Sequence, residues 1–132
     1  MKQVKQTDLD FEIGFYEGLL EKRHDFLQNL IMLGELYTRK GLYQKGLEID
    51  KKLAKMRPED PVILYNLACS YSLLSQIDHS FAALKLAVQC GYDEIDHLEQ
   101  DEDLNNLKQD PRFPAYLAQI KSPNLKNSLS PQ

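Results

Sequence analysis

The sequence predicts an all-α protein, a superhelix built from antiparallel pairs of helices, on three observations. Apolar residues recur at helical spacing in pieces of one helix length, separated by prolines, glycines and short polar breaks. No stretch alternates as a half-buried strand would, and the short apolar run of Val62, Ile63 and Leu64 sits inside a helix that Pro61 opens. The pattern also returns at an offset of 34 residues, which lays Leu30 on Leu64, Leu33 on Leu67 and Tyr37 on Tyr71.

Taken in order, residues 8–23 place Leu9, Ile13, Tyr16, Leu19 and Leu20 on one stripe, with Asp8 as the expected N-cap. Residues 26–40 carry Leu30, Leu33, Leu36 and Tyr37, and Gly41 follows as the C-cap. Residues 43–56 carry Leu47, Ile49, Leu53 and Met56 until the break Arg57-Pro58-Glu59-Asp60-Pro61. Asp60 followed by Pro61 is a cap with proline at the first helical position, and residues 61–75 then carry Leu64, Leu67, Ala68, Tyr71 and Leu74. Residues 78–90 carry Phe81, Ala82, Leu84, Leu86 and Val88, ending at Cys90-Gly91-Tyr92. Beyond them, residues 93–103 hold seven carboxylates in eleven positions, while Leu98, Leu104 and Leu107 keep an apolar stripe. Asp110-Pro111 repeats the cap-plus-proline start before a last helix with Phe113, Tyr116, Leu117 and Ile120. The final stretch, 122–132, has the composition of a disordered tail.

At 132 residues the chain fits one domain, here residues 1–121, large enough to fold without a metal or disulfide. The net charge of −4 argues against broad nucleic-acid binding, which needs a basic face. Two cysteines, Cys69 and Cys90, are too few for a disulfide framework and are expected as reduced thiols of a cytoplasmic protein. The first residues lack the apolar run of a signal peptide, and no segment is apolar enough to span a membrane.

Two glycines stand inside helical pieces. Gly34 and Gly46 each cost a helix about 1 kcal/mol relative to alanine, a cost offset only where two helix axes approach closely. With the 34-residue period, these positions resemble the tetratricopeptide repeat, whose pattern is W-x2-L-G-x2-Y, then A-x3-F, then P. Residues 27–60 match it with Leu30, Leu33, Gly34, Tyr37, Gly46, Leu53 and Pro58, and residues 61–94 with Leu64, Leu67, Ala68, Tyr71, Ser80, Leu84 and Ala87. Departures are leucine for tryptophan, Asp50 where an aromatic is expected, and Tyr92 where the closing proline is expected. Residues 8–25 resemble the second helix of a preceding unit. Residues 95–121 resemble the helical cap that closes such arrays, whose outer face stays polar.

The resemblance implies a non-catalytic interaction module and scaffold, with the first helix of each unit lining a concave groove. On these helices the groove-facing positions are Gln28, Ile31, Met32, Glu35, Thr38 and Arg39, then Val62, Tyr65, Asn66, Cys69 and Ser72. This mixture suits a peptide or helix of a protein partner that anchors an apolar side chain between polar contacts. A clamp for a C-terminal carboxylate is disfavoured, because Glu35 stands where an asparagine is wanted and repels the ligand's charge. The alternatives are a small secretion-type chaperone or escort, and a self-associating structural subunit; the oligomeric state is left open between a monomer and a weak homodimer.

No cofactor or metal is expected. Residues 101–106 begin like a calcium loop, but Asn106 replaces the turn glycine and Arg112 the bidentate glutamate. His24, His79 and His97 are scattered, without the compact ligand set zinc requires. Phosphate-loop, dinucleotide and nucleophile-elbow motifs are absent, so an enzyme is the weakest reading. The acidic run is expected as a solvated cap face, secondarily as a docking surface for a basic partner.

Overall fold

The computed structural model describes residues 6–23 and 26–122, and all regular structure among them is helical. Five helices come first: α1 (Gln6–Lys22), α2 (Leu27–Lys40), α3 (Tyr43–Met56), α4 (Pro61–Leu73) and α5 (Ile77–Gln89). Shorter pieces follow: α6 (Ile95–Gln100), a 3-10 turn (Glu102–Leu104), α7 (Asn105–Lys108) and α8 (Arg112–Lys121). Each of the first five helices packs against its neighbours in the chain, and the C-terminal pieces close over α4 and α5. Among the described residues, no helix is long and apolar enough to cross a membrane. His24 and residues 123–132 of the expected tail lie outside the described residues.

The boundaries follow the local chemistry. Asp60 Oδ1 accepts the backbone N–H groups of Val62 (3.0 Å) and Ile63 (3.1 Å), satisfying two orphan donors where Pro61 removes a third. Gly41 takes φ +89° and ends α2 in a left-handed cap, with the Leu42 N–H returning to the Tyr37 carbonyl at 2.8 Å. At the last helix the start falls one position later than expected: Pro111 stands at the N-cap, and the Asp110 carboxylate before it accepts the Arg112 N–H at 2.9 Å.

Two helix faces differ from the sequence expectation. α1 begins at Gln6, so Asp8 lies in the first turn rather than at the cap, and Leu19 sits at the surface instead of in the core. On α5, Ala82 and Leu86 are exposed while Ser80, Ala83 and Ala87 are buried. Phe81 and Leu84 are buried as expected, and beside them the close approach to α4 admits the small residues Ser80, Ala83 and Ala87.

Two cores result. Leu9 and Ile13 of α1, Leu30, Leu33 and Leu36 of α2, and Leu53 of α3 form the first. Leu64 and Ala68 of α4, Leu84 and Ala87 of α5, and Leu98, Leu104 and Leu107 of the C-terminal pieces form the second. Ala54 packs against both. Gly34 and Gly46 stand at the α2–α3 crossing, where a side chain on either would be crowded. A Cβ on Gly34 would meet Ile49 Cγ2 at 3.1 Å and Asp50 Oδ1 at 3.3 Å. One on Gly46 would meet Thr38 Oγ1 at 3.0 Å and the Gly34 carbonyl oxygen at 3.6 Å.

Candidate functional site

Because α2 and α4 are separated in the chain by α3, their outer faces flank a cavity of about 480 Å³ with α3 at its floor. Of the residues expected there, Ile31, Glu35, Thr38, Arg39, Val62, Tyr65, Asn66 and Cys69 line it. Gln28, Met32 and Ser72 do not. Gln28 and Met32 are both exposed on α2, outside the cavity lining. Ser72 is fully buried for a different reason: the C-terminal cap covers that end of α4. There the Ser72 hydroxyl accepts the Leu107 N–H at 3.1 Å and its carbonyl accepts from Asn106 Nδ2 at 2.8 Å.

Tyr65 and Cys69 line the wall without standing free in it. Tyr65 is only 4% exposed, stacks on Tyr92 with centroids 4.3 Å apart, and donates its hydroxyl to Asp101 Oδ2 at 2.6 Å. Burial pushes the Tyr65 phenol far up, with nearby Cys69 and Asp101 adding to it. Burial likewise pushes the Cys69 thiol well up, the Asp101 charge adding to it, so this sulfur is protonated at neutral pH and not poised as a nucleophile.

The acidic run divides. Asp93, Glu94, Asp96 and Glu102 are all exposed, as a solvated face should be. Asp101 and Asp103 instead turn toward the cavity, with His97 beside them. Asp101 accepts from Tyr65, lies 3.3 Å from His97 Nε2, and caps the 3-10 turn by accepting the Asp103 N–H at 3.0 Å. The Asp103 carboxylate accepts no hydrogen bond from any described residue. Burial holds Asp103 above its ordinary range, and the charges of Asp101 and Glu102 add to this.

Asp50, like His97, Asp101 and Asp103, lines the cavity without having been expected there from the sequence. It stands in the floor at 8% exposed, and one carboxylate oxygen takes a short hydrogen bond from the Ser70 hydroxyl. The other oxygen, Oδ1, has no donor among the described residues and lies beside the bare Cα of Gly34, which also lines the cavity. Burial raises Asp50 to about 6 against the opposing effect of Ser70. A signal was present: a charged residue where the repeat pattern calls for an aromatic, paired at i+20 with a serine on the next helix.

The lining is therefore electrostatically one-sided. Glu35, Asp50, Asp101 and Asp103 face Arg39 and His97. Arg39 is already paired with Glu35 at 2.8 Å. Val62, 53% exposed, and half-buried Ile31 supply apolar surface in the same cavity.

No protein-family model and no solved structure matches the chain. The chain is similar to a chloroplastic protein of Arabidopsis thaliana, at 31% identity over 90 residues. The match takes in 66% of this chain and 27% of that relative, so the chain spans about a quarter of the relative's length.

Proposed function

We propose that the chain is a tetratricopeptide-type interaction module, non-catalytic, that holds an extended or helical segment of a partner protein in the groove between α2 and α4. The segment carries an apolar side chain beside a lysine or arginine. The observation that supports this most is the meeting of exposed Val62 and half-buried Ile31 with Asp50 and Asp103, carboxylates that no described cation pairs, in one cavity. An apolar anchor gains from burial, and a cation placed among desolvated carboxylates fixes register and orientation. The groove volume suits one or two side chains of such a segment.

The test is fluorescence anisotropy with labelled peptides in which an apolar residue is followed by Lys or Arg, against the same peptides with Asp or Glu. Binding of the basic set, lost in Val62→Glu and in Asp103→Lys, is the expected result. Equal binding of both sets, or variants that bind as the wild type does, overturns the reading. Tyr65→Ala is a poor probe, because that ring is part of the wall.

A further inference from the structure

α1 presents an exposed apolar stripe, in which the Phe15 ring meets the adjacent Tyr16 edge-on with centroids 5.2 Å apart. Phe11 is 77% exposed, Phe15 54% and Leu19 36%, at successive i, i+4 positions opposite the core-facing Leu9, Ile13 and Leu20. Gly14 and Gly18 flank the stripe, and nothing lies within 4 Å of where either Cβ would be. Gly34 and Gly46 have an intramolecular packing reason; Gly14 and Gly18 have none, and still weaken the helix.

The stripe is also symmetric about Phe15. Phe11 and Leu19 lie four residues to either side, and Asp8 and Lys22 seven to either side, all on one helical face. Asp8 and Lys22 carry opposite charges, and neither is in an ion pair with a described residue. A face with this arrangement complements itself when a second helix runs antiparallel. Phe15 then meets Phe15 at the two-fold axis, Phe11 lies level with Leu19 of the second copy, and Asp8 level with its Lys22. The 8, 15, 22 spacing is the seven-residue repeat of a helix–helix seam. A parallel pairing would set Asp8 against Asp8 and Lys22 against Lys22.

We propose that this chain forms an isologous homodimer through antiparallel pairing of α1 about Phe15, with Asp8–Lys22 ion pairs at both ends of the seam. The seam runs about 21 Å. Its apolar residues contribute roughly several hundred Å² in all, the low end of specific interfaces, so the dimer is weak and dissociates on dilution.

Sedimentation velocity over a concentration series tests this on the full chain, with circular dichroism as the fold control. Wild type is expected to shift from monomer to dimer at concentrations on the order of 100 μM. Phe15→Glu, at an exposed site, keeps its helix content and raises the dissociation constant at least about tenfold. Asp8→Lys weakens the dimer severalfold, and the double variant Asp8→Lys, Lys22→Asp returns it to within about threefold of wild type. Wild type that stays monomeric at about 1 mM overturns the proposal and leaves the stripe to a different partner. A dimer that survives Phe15→Glu overturns it as well. A double variant no tighter than Asp8→Lys alone overturns the antiparallel register.

Discussion

The Ser80 hydroxyl donates to the backbone carbonyl of Ala68 at 2.7 Å, joining α5 to α4 where both residues are fully buried. Thirty-four residues earlier the same two positions are Gly46 and Gly34, and there a Cβ on Gly46 would stand 3.6 Å from the Gly34 carbonyl oxygen. The two crossings use one geometry with different chemistry: glycine removes the side chain, and serine turns its hydroxyl onto the backbone. The turns correspond as well. The Leu42 N–H reaches the Tyr37 carbonyl at 2.8 Å, and the Gln76 N–H reaches the Tyr71 carbonyl at 2.9 Å. Gly41 and Ser75 both take positive φ, at +89° and +58°.

Ser75 is therefore a serine in a glycine's place. Left-handed backbone costs a residue with a Cβ roughly 1–2 kcal/mol, partly offset by the entropy glycine loses on folding. Ser75→Gly is expected to stabilise the protein by about 0.5–1 kcal/mol in urea unfolding, despite losing the 3.3 Å contact with Asn106. A loss of stability would mean that the hydroxyl matters more than the backbone strain.

Gly34 and Gly14 are expected to respond oppositely to alanine. At Gly34 the new methyl meets the branched Ile49 side chain at 3.1 Å and Asp50 at 3.3 Å, so α3 must shift, at a cost of about 1–3 kcal/mol. At Gly14 it meets nothing, and alanine adds about 1 kcal/mol of helix propensity to the monomer. Thermal or urea unfolding of the two variants at low protein concentration reads the difference.

Much of this architecture was legible in the sequence. Caps and breaks are local chemistry, so Asp60 and Gly41 mark their boundaries directly and Asp110 to within one position, and the small residues at 34, 46, 68 and 80 mark the crossings. The inward face of α5 was harder, because a pattern that scores hydrophobicity favours Leu86 over Ser80, while a tight crossing favours whatever is small. The groove was half legible. The wheel positions of Ile31, Glu35, Val62 and Tyr65 follow from helical periodicity alone. What covers Ser72, and what turns Asp101 and Asp103 inward, depends on where a distant segment folds back. Asp50 was visible only as a mismatch to the repeat pattern, and its partner Ser70 lies on another helix.

Tyr65 is expected to hold the cap to α4. Tyr65→Phe removes the 2.6 Å hydrogen bond to Asp101 while keeping the stack on Tyr92, and leaves the carboxylate with the Asp103 N–H, His97 and the Cys69 thiol. A cost of about 1–2 kcal/mol is expected, because a charged acceptor loses one of its donors. Hydrogen exchange should show the opening concentrated in residues 95–108, since that segment leans on α4 there.

Asp50 should make stability fall as pH rises. Its carboxyl is at about 6 in the folded protein against an ordinary 3.8. The folded state therefore holds the proton more tightly, and the favourable contribution is complete below about pH 4 and lost as pH rises through about 6. The size is on the order of 2–3 kcal/mol for so buried a group. Asp50→Asn keeps the shape without the charge, so it is expected to be more stable than wild type at pH 8, with the gap narrowing toward pH 4. An equal gap at both pH values would place the cause elsewhere.

The same group ties the proposed ligand to pH. A lysine or arginine of a partner segment, set beside Asp50 Oδ1 and the Asp103 carboxylate, favours their ionised forms and so draws both back toward the ordinary carboxylate range. Below about pH 6 the free protein holds a proton on Asp50 that binding must expel, and by linkage the affinity must fall as pH is lowered. Above that value Asp50 is already charged, its burial is already penalised, and the incoming cation relieves the penalty. The affinity of a basic peptide is therefore expected to rise from about pH 5 to about pH 7.5 and then level off, and to weaken with salt less steeply than a surface ion pair does, because the carboxylates are partly desolvated. In Asp50→Asn the rise should shrink, while the apolar contribution of Val62 and Ile31 persists. Anisotropy titrations at several pH values on the two proteins decide it. A pH profile identical in wild type and Asp50→Asn would remove Asp50 from the site and leave Asp103 as the group that meets the cation.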